Sequence, residues 1–295
     1  MRIGRSAVAT HPGRKRRLNE DAYVCKPPLF AIADGMGGAR AGEVASGLAA
    51  AALQENDANG TGAERVVALM QAANRSVYER SSRDAEVAGM GTTMTVALVE
   101  NGSVTFGHVG DSRAYVLHDG ELEQLTHDHS LVAELVRSGK LSPEEAEHHP
   151  QRSVITRALG TDPDVDVDTF DVPGHEGDVF VLCSDGLTDM VADDEIGAVI
   201  SERRASLEDA ANELVRRANK AGGQDNITVV AFELTDAPPE PDERTLEHTV
   251  EQTVAAPAVE PEPKQERKGR RFLPLIILIV AILVAAAVLW VLVQR

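Results

Sequence analysis

Residues 29–38 read LFAIADGMGG: an unbroken apolar run, Leu29-Phe30-Ala31-Ile32-Ala33, passes directly into Asp34-Gly35-Met36-Gly37-Gly38. A short run of apolar and β-favouring residues with no polar alternation is a strand covered on both faces, and the glycines after it mark where the strand ends. The same grammar recurs at residues 178–186, DVFVLCSDG, where an apolar strand again delivers an aspartate, Asp185, into a Gly-containing turn. Working outward, SAVAT, AYVC, TTMTVALVE, SVTFGHVG, SRAYVLH and NITVVAFEL are further short β-rich segments bounded by Gly, Asp or Asn. His118-Asp119-Gly120-Glu121, between two strand-like runs, is a hairpin turn signal.

Helical spacing of apolar residues appears at 43–55, 63–81, 130–138, 194–201 and 207–221. The order is strands, two helices, many strands, then helices and a last strand. That is not an alternating βαβα pattern, so the expected class is α+β, a sandwich of mostly antiparallel sheets coated by helices. No internal repeat is present.

The chain has 295 residues, 43% hydrophobic and 26% charged, enough to bury a substantial core. Its 47 acidic against 29 basic residues give a net charge of -18, which argues against nucleic acid as a partner. Two cysteines, Cys25 and Cys183, each inside an apolar run, make neither a disulfide framework nor a cysteine zinc site. The first residues, MRIGRSAVATHPGRKRRLNED, contain no apolar stretch long enough for a signal-peptide core, so export is not expected.

Carboxylates gather at strand ends: Glu20-Asp21 before AYVC, Asp34 after LFAIA, Asp111 after the 103–110 strand, Asp185 after VFVLC and Asp225 before NITVV. Singly, an Asp beside Gly is more often a turn residue. As a set they can converge into an oxygen-only site for Mg²⁺ or Mn²⁺ rather than zinc. The loop GMGGARAG has neither the GxGxxG spacing nor a GK[ST] ending, so a nucleotide cradle is disfavoured.

The ordered blocks Arg16-Arg17-Leu18-Asn19-Glu20-Asp21, Asp34-Gly35-Met36-Gly37-Gly38, Gly91-Thr92-Thr93, Gly110-Asp111-Ser112-Arg113, Ser184-Asp185-Gly186-Leu187 and Gly223-Gln224-Asp225-Asn226 resemble the motifs of the PPM/PP2C metal-dependent protein phosphatases, the bacterial branch in particular. The resemblance spans about residues 5–234 and implies an αββα sandwich over 1–235 that hydrolyses phosphoserine and phosphothreonine in proteins. It implies two Mn²⁺ or Mg²⁺ ions, with a third in many bacterial members. Asp34 would bridge the two ions, Gly35 would offer its carbonyl, and Asp185 and Asp225 would bind the second. Glu20 and Asp21 would hold water around them, and Asn226 would support the set. Asp111 with Asp185, and Ser153, match the third site. Arg16 has the fork geometry to grip phosphate oxygens in two places, although by itself it reads as one solvated member of a basic run. Two such ions can share a water, lower its pKa and direct it at phosphorus.

Met36 stands where many animal members carry a histidine, so the proton donor to the leaving oxygen is not given by the motif. His127, His129, His148 and His149 read as surface or loop residues. Residues 128–157 combine a short amphipathic helix, a Ser-Pro turn and a polar stretch, and resemble the family's flap; an inserted loop without a catalytic role reads the same way. A non-catalytic sensing module of the same fold is the other reading, but it would be favoured by lost ligands, and Asp34, Asp185 and Asp225 are all present.

Residues 236–271 are rich in Pro, Glu and Ala and end in the basic block KQERKGRR, which suits an extended linker. Residues 272–293, FLPLIILIVAILVAAAVLWVLV, are 22 residues without a charge. As a helix they are about 33 Å long, enough for a transmembrane span. The basic flank places the preceding domain on the cytoplasmic side of the plasma membrane. The family resemblance implies, as its partners there, membrane Ser/Thr protein kinases and their phosphoprotein substrates, near which a tether would concentrate it.

Overall fold

In β3 (Leu29–Met36), Phe30 and Ile32 face one way and Ala31 and Ala33 the other, and all four are buried. β10 (Val179–Cys183) does the same, with Phe180 and Leu182 on one face and Val179, Val181 and Cys183 on the opposite one. Side chains alternate across a strand, so an all-apolar strand requires cover on both faces. Each strand here has a second sheet on one face and helices on the other.

The structure, a computed structural model, describes residues 1–37, 41–55 and 58–236. The remaining strands are β1 (Arg2–His11), β2 (Asp21–Lys26), β4 (Gly91–Thr92), β5 (Met94–Glu100), β6 (Ser103–Val109), β7 (Arg113–His118), β8 (Glu121–Gln124), β9 (Asp168–Pro173) and β11 (Ile227–Thr235). One sheet has the order β1-β11-β10-β7-β8, the other β2-β3-β5-β6-β9 with β4 added on β3. Every pairing is antiparallel. Between the sheets lies an aromatic layer in which Phe232 stacks on Phe30 at 4.1 Å and on Phe180 at 5.2 Å.

The helices are α1 (Ala41–Glu55), α2 (Gly62–Arg83), α3 (Leu131–Arg137), α4 (Pro143–Glu147), α5 (Asp185–Thr188), α6 (Asp193–Glu202) and α7 (Leu207–Ala221). α1 and α2 cover the β2-β3-β5 face, using small residues on α1 (Ala41, Ala45, Ala49) and the stripe Val66, Leu69, Met70, Ala73, Val77 on α2. Gly107 of β6 permits this approach, since a Cβ there would meet Val66 at 2.3 Å. α7 starts at Ser206, whose hydroxyl accepts from the Asp209 N–H, and buries Leu207, Ala210, Leu214 and Ala218 against the first sheet. The antiparallel α+β sandwich expected from the element order, and the αββα layering that the family resemblance implies, are what is observed.

Of the edge strands β8 and β9, β8 was implied only by the His118–Glu121 turn, and β9 was not legible in the sequence. Both alternate exposed and half-buried residues and carry several acids, which weakens the hydrophobic signal. The Ser-Pro turn of the 128–157 segment is a short helix, α4, started by Pro143 and a reciprocal cap between Ser142 and Glu145. The His118–Glu121 turn is the two-residue hairpin expected, with Asp119 (φ 48°) and Gly120 (φ 88°) both left-handed. Gly38, the linker after Asp236 and the apolar segment at 272–293 lie outside the described residues, among which no helix is long and apolar enough to cross a membrane.

Phe232 has no exposed surface and joins both sheets. Phe232→Ala is therefore expected to lower unfolding stability by about 3–5 kcal/mol, read from denaturant titration, whereas Tyr23→Ala, at 39% exposure, should change it by well under half of that.

Candidate active site

The predicted residues come from both sheets and meet at one end of the seam between them. Asp21 opens β2 directly opposite Asp34 of β3. Asp111 sits in the β6–β7 turn, Asp185 is the first residue of α5 after β10, and Asp225 lies in the α7–β11 turn. Arg16 and Glu20 belong to the β1–β2 connection.

Short polar side chains hold these carboxylates across the seam. Ser184 Oγ and Thr228 Oγ1, on the first sheet, donate to Asp21 Oδ2 at 2.9 and 2.6 Å. The Asp34 N–H donates to Thr93 Oγ1 at 3.0 Å, Thr92 Oγ1 donates to the Asp34 carbonyl at 2.8 Å, and Thr93 Oγ1 meets Ser112 Oγ at 2.9 Å. Asn226 is 2% exposed and fully engaged: its Oδ1 accepts from the Glu20 N–H at 2.7 Å, and its Nδ2 donates to the carbonyls of Leu18 and Pro12. It therefore fixes the loop that carries Arg16 and Glu20. Thr93, Ser112, Ser184 and Thr228 had no role assigned from sequence; the signal was a hydroxyl residue beside each aspartate within otherwise apolar strands.

Glycine is required where the aspartate turns touch. A Cβ on Gly35 would lie 2.1 Å from the Gly42 carbonyl oxygen and 2.6 Å from that of Glu20, and one on Gly186 would lie 2.0 Å from that of Asn226.

Burial and mutual repulsion dominate the electrostatics. Burial pushes the Asp21 carboxyl up to about 6 against the bonds from Thr228 and Ser184, and burial with nearby Asp128 takes Asp111 to about 6. Asp34 and Asp185 stand well above the usual carboxylate range, first from burial and then from the other aspartates. Arg16 reaches this set, donating from Nη2 to Asp225 Oδ2 at 2.7 Å, with half its side chain exposed. Here it is paired with a carboxylate rather than free to grip phosphate. Asp21 Oδ1 and Asp185 Oδ1 are buried with no hydrogen-bond partner. Orphaned carboxylate oxygens among like charges fit hard divalent cations, and the oxygen-only donor set fits Mn²⁺ or Mg²⁺.

The 128–157 segment borders the site. Arg113 grips Asp128 with two donors, at 3.0 and 2.8 Å. His129, expected at the surface or in a loop, lies in a loop but is buried at 3% exposure: its N–H donates to the Gly110 carbonyl at 2.7 Å and its Nδ1 accepts from the Gly110 N–H, next to Asp111. A histidine beside a polar loop looks solvated in sequence, and only the tertiary pairing to Gly110 buries it. His127 and His148 are exposed and His149 is half-buried. A cleft of 960 Å³ runs between this segment and the aspartates, lined by Asp111, Arg113, Arg152, Ser153, Asp185 and Asp189. Ser153 is exposed on its wall, and Asp189, not singled out in the sequence, adds a carboxylate beside Asp185. Met36 closes β3 opposite Gly91.

This fold and carboxylate set define the class, and the comparisons agree. Residues 14–229 match the family described as Protein phosphatase 2C, and the chain belongs to that family. It is 41% identical over 236 residues to the serine/threonine phosphatase Stp of Listeria welshimeri, covering 76% of this chain and 93% of that one. It is 40% identical over 235 residues to PstP of Mycobacterium tuberculosis, where the match covers 79% of this chain but 45% of PstP. The crystal structure of the M. tuberculosis phosphatase PstP/Ppp superposes with a TM-score of 0.74 at 38% identity, covering 79% of this chain and 99% of that one. That of the PstP catalytic domain in complex with two manganese ions gives 0.73 at 37% identity, with the same coverage.

The sign of the aspartate effect is testable in the metal-free chain. A carboxyl whose folded pKa is raised stays protonated in the folded state after the unfolded chain has lost its proton, so its contribution to stability is lost as pH rises towards the folded pKa. In chelator, Asp185→Asn should melt above the natural chain, and the gap should widen as pH rises from about 4 to about 7, by about 2–4 °C for each kcal/mol of repulsion removed. Added Mn²⁺ should raise the melting temperature of the natural chain and reverse the order. A gap that narrows with pH in chelator contradicts the assignment.

Proposed function

We propose that Asp34, Asp185 and Asp225 with the Gly35 carbonyl hold the two ions of this metal-dependent protein serine/threonine phosphatase, with Asp21 and Glu20 completing the surround. The observation that carries this is the buried, unpartnered oxygen of Asp185 beside Asp111, Asp189 and Asp225. Mn²⁺ or Mg²⁺ ions, when bound, supply the Lewis acidity that activates water for attack on phosphorus. The chain's own residues do the rest. Ser184 holds the Asp21 carboxylate and Asn226 holds the loop that carries Arg16 and Glu20, and their order before the ions arrive limits reorganisation when the phosphate is bound. Arg16, at the rim and half exposed, exchanges Asp225 for two phosphate oxygens of the substrate. Asp111 with Asp185 would take a third ion, and Ser153 lines the same cleft.

The C-terminal segment gives the reading of location. The uncharged run at 272–293 crosses the plasma membrane once, with the basic flank and the phosphatase domain on the cytoplasmic side. The linker holds the active site near membrane Ser/Thr protein kinases and their phosphoproteins, raising its effective concentration there.

Phosphate release from a phosphothreonine peptide, assayed on membrane and soluble fractions of cells making the full chain, tests both parts. Turnover should appear in the membrane fraction, require Mn²⁺ or Mg²⁺, and be abolished in Asp185→Ala. Arg16→Ala should raise KM more than it lowers kcat. Removing residues 240–295 should move the activity to the soluble fraction with kcat unchanged. Metal-independent turnover would contradict the site, and a soluble full chain would contradict the anchor.

A further inference from the structure

Three side chains that the phosphatase site leaves unused meet at the other end of the sandwich. His118 closes β7, His175 follows β9, and Asp178 precedes β10. Leu117 pairs with Val179 in the β7–β10 register, so one step further out sets His118 beside Asp178. Asp178 and Asp185 bracket β10, whose length separates them by about 15–20 Å. The cluster is therefore distinct from the carboxylate site.

The Asp178 side chain is 3% exposed, whereas those of His118 and His175 are 46% and 62% exposed. Asp178 Oδ1 lies 2.6 Å from His118 Nδ1. Its Oδ2 accepts from the His175 backbone N–H at 2.8 Å and lies 3.3 Å from His175 Nδ1. The imidazole rings stand 4.8 Å apart. One ligand atom from each residue falls within 4.8 Å of the others, and among the described residues no other three His, Cys, Asp or Glu side chains do so.

Two imidazoles and a carboxylate are the donors of a borderline transition ion, whereas Mg²⁺ and Ca²⁺ take oxygen alone. The carboxylate is already oriented by a backbone N–H, as ligands are oriented in built sites. The imidazoles are exposed enough for an ion to enter. We propose that His118, His175 and Asp178 form a second metal site, for zinc or a similar divalent ion, with three protein ligands and the fourth position left to water. The proton now lying between His118 and Asp178 leaves as the ion binds. The ion would join the β9–β10 connection to the β7–β8 hairpin.

Titration calorimetry of the full chain with Zn²⁺ in saturating Mn²⁺, at mildly alkaline pH, tests this. The natural chain should bind one equivalent of Zn²⁺ that the His118→Ala/His175→Ala variant does not, while both retain the same Mn²⁺-dependent turnover. Single His175→Ala, which removes the more exposed ring, guards against a folding defect and should weaken that binding. Co²⁺ in place of Zn²⁺ should give the visible absorption of a four-coordinate site in the natural chain alone. No Zn²⁺ uptake by the natural chain, or equal uptake by chain and variants, overturns the proposal.

Discussion

The constraint on which the rest of this structure depends is the repulsion among buried carboxylates where the two sheets meet. Burial raises the cost of ionising Asp21, Asp34, Asp111 and Asp185, and neighbouring aspartates, Asp21 and Asp111 among them, raise it further for Asp34 and Asp185. Left alone, such a cluster would hydrate or spread. It is held because every aspartate sits at the end of a strand, or in a turn, whose other residues are locked into a dry core. The all-apolar strands β3 and β10 are thus the scaffold of the site as well as the centre of the fold. Stability given up at the seam is offset by the aromatic layer beneath it.

The same constraint explains why the seam is stitched by hydroxyls and one asparagine rather than by cations. Ser184 and Thr228 donate to Asp21 without adding charge, and Asn226 serves the Arg16 loop while leaving the carboxylates to a metal. A lysine or arginine in those positions would neutralise the site and compete with divalent ions for it. Arg16, the cation that does reach the cluster, is at the exposed rim, where its ion pair with Asp225 is weak enough to be exchanged.

Much of this was legible in the sequence because the signals were redundant. Apolar runs ending in Asp-Gly named both the strands and the ligands, and the antiparallel sandwich followed from the element order and the Asp119-Gly120 turn. What escaped were features whose signal is relational. β9 is an edge strand with acidic, alternating residues, so its pairing comes from its neighbour rather than from its own hydrophobicity. Burial of His129 and the nearness of Asp189 to Asp185 arise from long-range contacts that local pattern does not encode. Arg16 illustrates a different limit: by itself it reads as one member of a basic run, the family resemblance makes it a phosphate ligand, and its present partner is Asp225.

The claim that the cluster exists to hold two hard cations is tested most directly by anomalous diffraction from crystals grown with Mn²⁺. The account predicts two manganese peaks at the seam, sharing Asp34 and reached by the Gly35 carbonyl, Asp185 and Asp225. A seam with no manganese, or a single ion with Asp34 outside its coordination, would contradict it.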